Sequence, residues 1–199
     1  MDYKKLVKQG YDQCAQNYLD QRDLFKNQKY LEDLIQRLNP NSKILDIGCG
    51  AGVPIDQFLI EKGFKITGVD ISPEQIKLAK QNLSSGEFLV KDMSDINFPD
   101  NSFDAIISFY AIFHINRKEH QELFNKLFSI LKPNGYLLVT TGSEDWEGIE
   151  KFHGVKMFWS HYSADKNLEI IKNSGFKIIS SEIDTSGGER HLIILAQKS

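Results

Sequence analysis

Five short apolar runs, Lys43–Ile47, Lys65–Val69, Glu87–Val90, Phe103–Phe109 and Tyr136–Thr141, alternate with helical patterns through the first part of the chain. Runs this short and this apolar read as strands buried on both faces, which a parallel sheet requires because its crossover helices cover both sides. The first two crossovers read as Ile55–Lys62 and Pro73–Leu83, the second with Ser72 as its N-cap and Pro73 in its first turn. A third helix, Arg117–Leu131, carries Leu123, Phe124, Leu127, Ile130 and Leu131 on one face and stops at Lys132-Pro133-Asn134-Gly135. Before the first strand, Leu24, Phe25, Leu31, Leu34, Ile35 and Leu38 mark a helix over Leu24–Leu38, ended by Asn39-Pro40-Asn41. After the fifth strand come a polar stretch and a helix, Asp165–Ser174, closed by Gly175. Two further strands follow, Phe176–Ile183 and Arg190–Ala196, joined by Ser186-Gly187-Gly188 as an antiparallel hairpin. The pattern predicts an α/β fold built on a doubly wound, mostly parallel, seven-stranded sheet that ends in an antiparallel hairpin. A single domain over residues 1–199 is expected, with a helical cap over 1–40 and the sheet core over 41–199.

Ligands of such sheets bind beyond the carboxyl ends of the strands, near the point where strand order reverses. At the first of these ends the chain reads Asp46-Ile47-Gly48-Cys49-Gly50-Ala51-Gly52, a turn whose glycines let a ligand approach bare main chain. Asp70 ends the second strand, where a carboxylate can accept from both hydroxyls of a ribose, and Asp92 ends the third in Lys91-Asp92-Met93. One strand-end aspartate is more often a turn former than a ligand. Three acidic residues at successive strand ends beside a glycine loop point to a nucleoside site. A nicotinamide-binding turn needs Gly-x-Gly-x-x-Gly, but Gly48, Gly50 and Gly52 are evenly spaced, and a P-loop would need a lysine that is missing.

From Lys43 to Thr141 the sequence resembles the class I S-adenosylmethionine-dependent methyltransferases of the small-molecule type. Asp46–Gly52 is similar to the family's first motif, Val69-Asp70-Ile71-Ser72 to its second and Lys91-Asp92-Met93 to its third. Phe103–Ser108 and Leu131–Tyr136 resemble two later signatures. The resemblance implies a Rossmann-like fold, S-adenosyl-L-methionine as cofactor, and methyl transfer to a small-molecule acceptor by in-line displacement. It implies that Asp46, Gly48 and Gly50 hold the methionine end and that Asp70 holds the ribose, with Cys49 and Ile71 as neighbouring cofactor-binding candidates. Asp92 and Met93 would then hold adenine, with Ser108 close to the methyl group.

In-line transfer from a sulfonium needs alignment and exclusion of water rather than a covalent catalyst. Where the acceptor carries a proton, a base near neutral pKa helps, so His114, His161 and Tyr110 are the candidate catalytic residues. His114 and Tyr110 belong to Ser108-Phe109-Tyr110-Ala111-Ile112-Phe113-His114, which leaves the fourth strand; packing aromatics and a helix-capping histidine is the other reading. His161 lies in Phe158-Trp159-Ser160-His161-Tyr162-Ser163, read as a loop that serves as a lid or acceptor pocket, or that simply packs. Tyr11 and Tyr18 belong to the expected cap and either pack there or touch ligand. The Asn/Asp-Pro-Pro-Tyr/Phe element of amino-group methylases is absent, and no acidic and asparagine cluster predicts a metal site.

Composition narrows the partners. A formal net charge of -3 supplies no positive field for nucleic acid or an anionic membrane. Two cysteines, Cys14 and Cys49, make no disulfide framework, and no apolar run suffices to span a bilayer. A cytoplasmic protein, monomer or homodimer, is expected. The competing readings are a protein or RNA methyltransferase, a non-catalytic S-adenosylmethionine-binding module and, more distantly, an oxidoreductase.

Overall fold

The computed structural model describes residues 2–21, 27–186 and 188–199. Leu24 and Phe25 of the expected first helix, and Gly187 of the expected hairpin turn, lie outside them. Seven strands form one sheet: β1 (Lys43–Ile47), β2 (Lys65–Asp70), β3 (Glu87–Val90), β4 (Phe103–Ser108), β5 (Leu131–Gly142), β8 (Phe176–Asp184) and β9 (His191–Lys198). Their order is β3-β2-β1-β4-β5-β9-β8. The first five run parallel, and β9 lies antiparallel to both β5 and β8, as expected. The sheet reverses winding between β1 and β4, which places the ligand crevice at their carboxyl ends.

Successive residues of each central strand feed opposite faces. Leu45, Ile47, Ile106, Leu137, Val139 and Ile194 pack toward α5 (His120–Ile130) and α6 (Ala164–Asn173). Ile44, Ala105, Ile107, Leu138, Ile193 and Leu195 pack toward α2 (Gln28–Ile35) and α3 (Ile55–Glu61). Both faces are apolar because both are covered, which is why these strands read as continuous runs. The second crossover, α4 (Pro73–Asn82), starts as expected: Ser72 Oγ accepts from the Gln75 amide at 3.2 Å and Pro73 opens the first turn.

One element gives the expected cap its form and another departs from the sequence reading. The N-terminal segment forms a long helix, α1 (Tyr3–Gln21), which lies across the carboxyl ends of the strands. The stretch after β5, read as loop, is a second, two-stranded antiparallel sheet of β6 (Trp146–Phe152) and β7 (Val155–His161). Phe158 to His161 are therefore strand residues, with alternate side chains on opposite faces. Helix α1 packs on this hairpin through Val7, Met157 and Phe158, and the Tyr3 and Phe158 rings stack at 3.9 Å. Gly10 allows the approach, because a Cβ there would lie 2.9 Å from Met157 Cε and 3.2 Å from the Lys156 carbonyl oxygen. Among the described residues no helix is long and apolar enough to cross a membrane.

Candidate active site

A cleft opens at the reversal point. Its floor is the glycine turn after β1, held down by two amides, Gly48 N–H and Cys49 N–H, which both donate to the Val69 carbonyl at 2.7 and 3.0 Å. Gly48 has φ +80°, and any Cβ there would overlap the Ala111 Cβ, so the turn tolerates no side chain and presents backbone to the cleft. Asp70, at the end of β2, braces the same turn. Its Oδ2 accepts from the Gly50 amide at 3.0 Å and its Oδ1 from the Ser72 amide at 2.9 Å, linking the glycine turn to the start of α4. At the end of β3, Asp92 Oδ1 accepts from the Ser94 amide and hydroxyl at 2.9 and 2.8 Å. Ile71 and Met93, the residues following these aspartates, supply apolar wall.

Helix α1 roofs the cleft. Lys4 reaches Asp92 Oδ2 at 3.4 Å and Ser94 Oγ at 2.6 Å, while Asp12 accepts from Ser72 Oγ at 2.7 Å. Between these ties, Tyr11 Oη lies 2.8 Å from His114 Nε2, and His114 Nδ1 lies 2.8 Å from the Phe158 carbonyl oxygen. A carbonyl oxygen only accepts, so Nδ1 carries the proton and Nε2 is left to accept from the Tyr11 hydroxyl. Burial pushes the His114 pKa down to about 4, against a smaller opposing effect of the Phe158 hydrogen bond, so the ring stays neutral near pH 7. Trp159 covers the imidazole from the hairpin, ring centroids 4.4 Å apart, and Phe152 closes on Tyr11 and Tyr18.

The expected site residues thus divide. Gly48, Gly50, Asp70, Ile71, Asp92, Met93, Tyr110 and His114 line one cleft. Asp46 and Ser108 do not. Asp46 is buried within β1, and Ser108 Oγ donates to the Ile47 carbonyl at 2.8 Å, tying β4 to β1 beneath the turn. Cys49 contributes only main chain. Its side chain packs with Ile76, Ala79, Leu83 and Phe88, where burial, reinforced by nearby carboxylates, pushes the thiol well above its usual range. His161 is not paired with His114 either: the Phe113 ring stands between them, 5.1 Å from one and 6.3 Å from the other. Tyr110 has φ +58°, rare for a bulky side chain, and its hydroxyl donates to Asn27 Oδ1 at 3.0 Å. Sequence reading missed Lys4 and Val7. Their one signal was the three- and four-residue spacing of Tyr3, Leu6, Val7, Tyr11, Cys14, Ala15 and Tyr18, the stripe of an amphipathic helix.

Residues 45–139 match the family model described as a methyltransferase domain. The chain carries a class I S-adenosylmethionine-dependent methyltransferase domain. This methyltransferase domain is 30% identical over 175 residues to the phosphoethanolamine N-methyltransferase of Plasmodium falciparum, covering 84% of this chain. The chain spans 65% of that relative's length, and 35% and 32% of the phosphoethanolamine N-methyltransferases of Arabidopsis thaliana and Zea mays that it also matches. Its fold is that of a SAM-dependent methyltransferase of Methanosarcina mazei, with TM-score 0.75, 24% identity and coverage of 88% of this chain and 98% of that one. It is also that of the 1,6-didemethyltoxoflavin-N1-methyltransferase of Burkholderia thailandensis, solved with 1,6-didemethyltoxoflavin and S-adenosylhomocysteine. There the TM-score is 0.77 at 18% identity, covering 100% of this chain and 89% of that one.

Proposed function

We propose that the cleft binds S-adenosylmethionine and that the domain transfers a methyl group to a small molecule admitted beneath α1. One observation carries the proposal: the bare glycine turn, the Asp70 and Asp92 carboxylates and the Tyr11–His114 pair all face a single cleft. When bound, the cofactor supplies a methyl group already activated as a sulfonium. A carboxylate oxygen has lone pairs beyond those taken by one amide, so Asp70, though engaged with Gly50 and Ser72, retains capacity for two ribose hydroxyls. Asp92 turns its Oδ2 toward Lys4 and the cleft, where it suits an exocyclic amine, and the flexible thioether of Met93 suits a ring face. The Gly48–Gly50 backbone leaves room for the methionine end.

The neutral His114 ring orients Tyr11: its Nε2 accepts from the Tyr11 hydroxyl while the Nδ1–H bond to Phe158 keeps the imidazole in register, so Tyr11 Oη turns a lone pair toward the acceptor's O–H or N–H. His161, behind Phe113, is left out of this arrangement. The rings of Tyr18, Phe152 and Trp159 pack around Tyr11 and His114 and keep water from the transfer. Relatives named for small acceptors, phosphoethanolamine in Plasmodium falciparum and 2-methyl-6-phytyl-1,4-hydroquinone in Synechocystis, support a small-molecule acceptor here. The acidic balance of the chain supports the absence of a nucleic-acid partner, and a cytoplasmic monomer or homodimer fits the same reading.

Calorimetric titration of the chain with S-adenosylhomocysteine, with NAD as parallel control, tests the cofactor. Micromolar affinity for the first alone is the expected outcome; binding of NAD alone, or of neither, overturns the proposal.

A further inference from the structure

A second cavity lies behind the cleft wall, in an open slot between the β6–β7 hairpin and the ends of β5 and β9. Its inner surface consists of rings. Phe113 is the hub, inclined 33° to Trp159 at 5.2 Å and 29° to His191 at 5.6 Å, with His161 at 6.3 Å. Trp146, 46% exposed, closes the outer side and lies along Gly148, where a Cβ would stand 3.0 Å from the indole. At the base, Gly142 lets the His161 imidazole sit against bare backbone; a Cβ there would overlap the ring. The charged groups Glu150, Glu189 and Arg190 are all exposed, of mixed sign, and belong to the rim.

The polarity of His161 narrows the ligand. Its Nδ1 donates to the Glu144 carbonyl oxygen, which can only accept, so the neutral imidazole keeps Nε2 as an acceptor. No partner for Nε2 falls among the described residues. The half-exposed indole of Trp146 offers a face for an offset-stacked planar ring, with the buried Phe113 behind it, and a lone acceptor at the edge favours a ring that carries a donor. We propose that the slot binds a flat, uncharged aromatic molecule bearing a phenol-like O–H or a ring N–H, stacked on Trp146 and donating to His161 Nε2. Trp159 is shared between the slot and the His114 side of the cleft, so a molecule held here lies one side chain from the proposed transfer centre. The slot itself does not depend on the cofactor assignment.

Proton NMR titration of the whole chain with 2-naphthol and with 2-methoxynaphthalene, which lacks the donor, tests this directly. Saturable binding of 2-naphthol is expected, roughly three- to ten-fold tighter than its methyl ether, the ratio one net hydrogen bond provides. His161→Phe should abolish that preference, and Trp146→Ala, a change at a half-exposed position, should weaken both compounds while S-adenosylhomocysteine affinity stays unchanged. Absence of saturable binding, equal affinity for the two compounds, a preference that survives His161→Phe, or unaltered 2-naphthol affinity in Trp146→Ala would each overturn the slot. Displacement of 2-naphthol by S-adenosylhomocysteine would put the ring in the cofactor cleft and overturn it as well. Failure of S-adenosylhomocysteine to bind while 2-naphthol behaves as described would instead sink the cofactor reading and leave the slot standing.

Discussion

Asp70 serves two ends with one carboxylate. It holds the Gly50 amide and the Ser72 amide, so it shapes the glycine turn as well as facing the cleft. Asp70→Ala should therefore weaken S-adenosylhomocysteine by roughly 1–3 kcal/mol and also lower the melting temperature, because two buried amides lose a charged acceptor. Calorimetry and thermal denaturation of the same variant check both; unchanged affinity in a folded variant would remove Asp70 from the site. The strand-end aspartates and the glycine turn were legible in sequence because their geometry is local, set within a few residues of a strand end. The Tyr11–His114 pair was not, since the partners lie 103 residues apart and meet only when α1 folds back over the sheet. The same reason separates His161 from His114: both are candidate bases in sequence, and only packing puts Phe113 between them.

At the scale of elements, helix α1 and the β6–β7 hairpin build what the sheet alone lacks, a roof with its own side chains. Their contact is close because Gly10 faces the β7 backbone. Gly10→Val should destabilise the protein by about 1–3 kcal/mol, since a branched side chain must push against the Lys156 carbonyl as well as the flexible end of Met157. Urea denaturation measures this. A more stable variant, as helix propensity alone would give, would show that the two elements separate freely. The hairpin escaped sequence reading because β6 is exposed along most of its length, and its Glu and Lys residues hide the alternation that marks a strand. Helix α1 falls within the expected helical cap, but its bounds and its Lys4 and Val7 contacts were hidden because its stripe is made of tyrosines and small residues interrupted by Gly10, which suits a cover over a ligand cleft better than a core helix.

For the molecule as a whole, buried imidazoles couple folding to acid. Burial holds His114 and His120 at pKa values of about 4, whereas in the unfolded chain each takes up a proton near 6.5. Between those values the unfolded state binds more protons, so stability is complete above about pH 6.5 and falls as pH drops toward 4, by on the order of 3 kcal/mol per ring. The urea midpoint should be flat near pH 7 and decline steadily below 6.5, with roughly half the slope in His120→Leu. A midpoint constant from pH 7 to 5 would mean that these rings are not buried neutral. From sequence alone came the strand count of the main sheet, its parallel run with a closing hairpin, and the glycine turn and strand-end Asp70 and Asp92 that line the cleft. Each follows from patterns local to one strand or turn, where apolar spacing and glycine geometry act directly. Tertiary structure decided the roof and the far wall: which histidine faces the cleft, that the Cys49 and Ser108 side chains turn away from it, and that a ring-lined slot forms behind Phe113. Those outcomes depend on contacts between segments far apart in the chain, and packing energy, rather than local propensity, selects them.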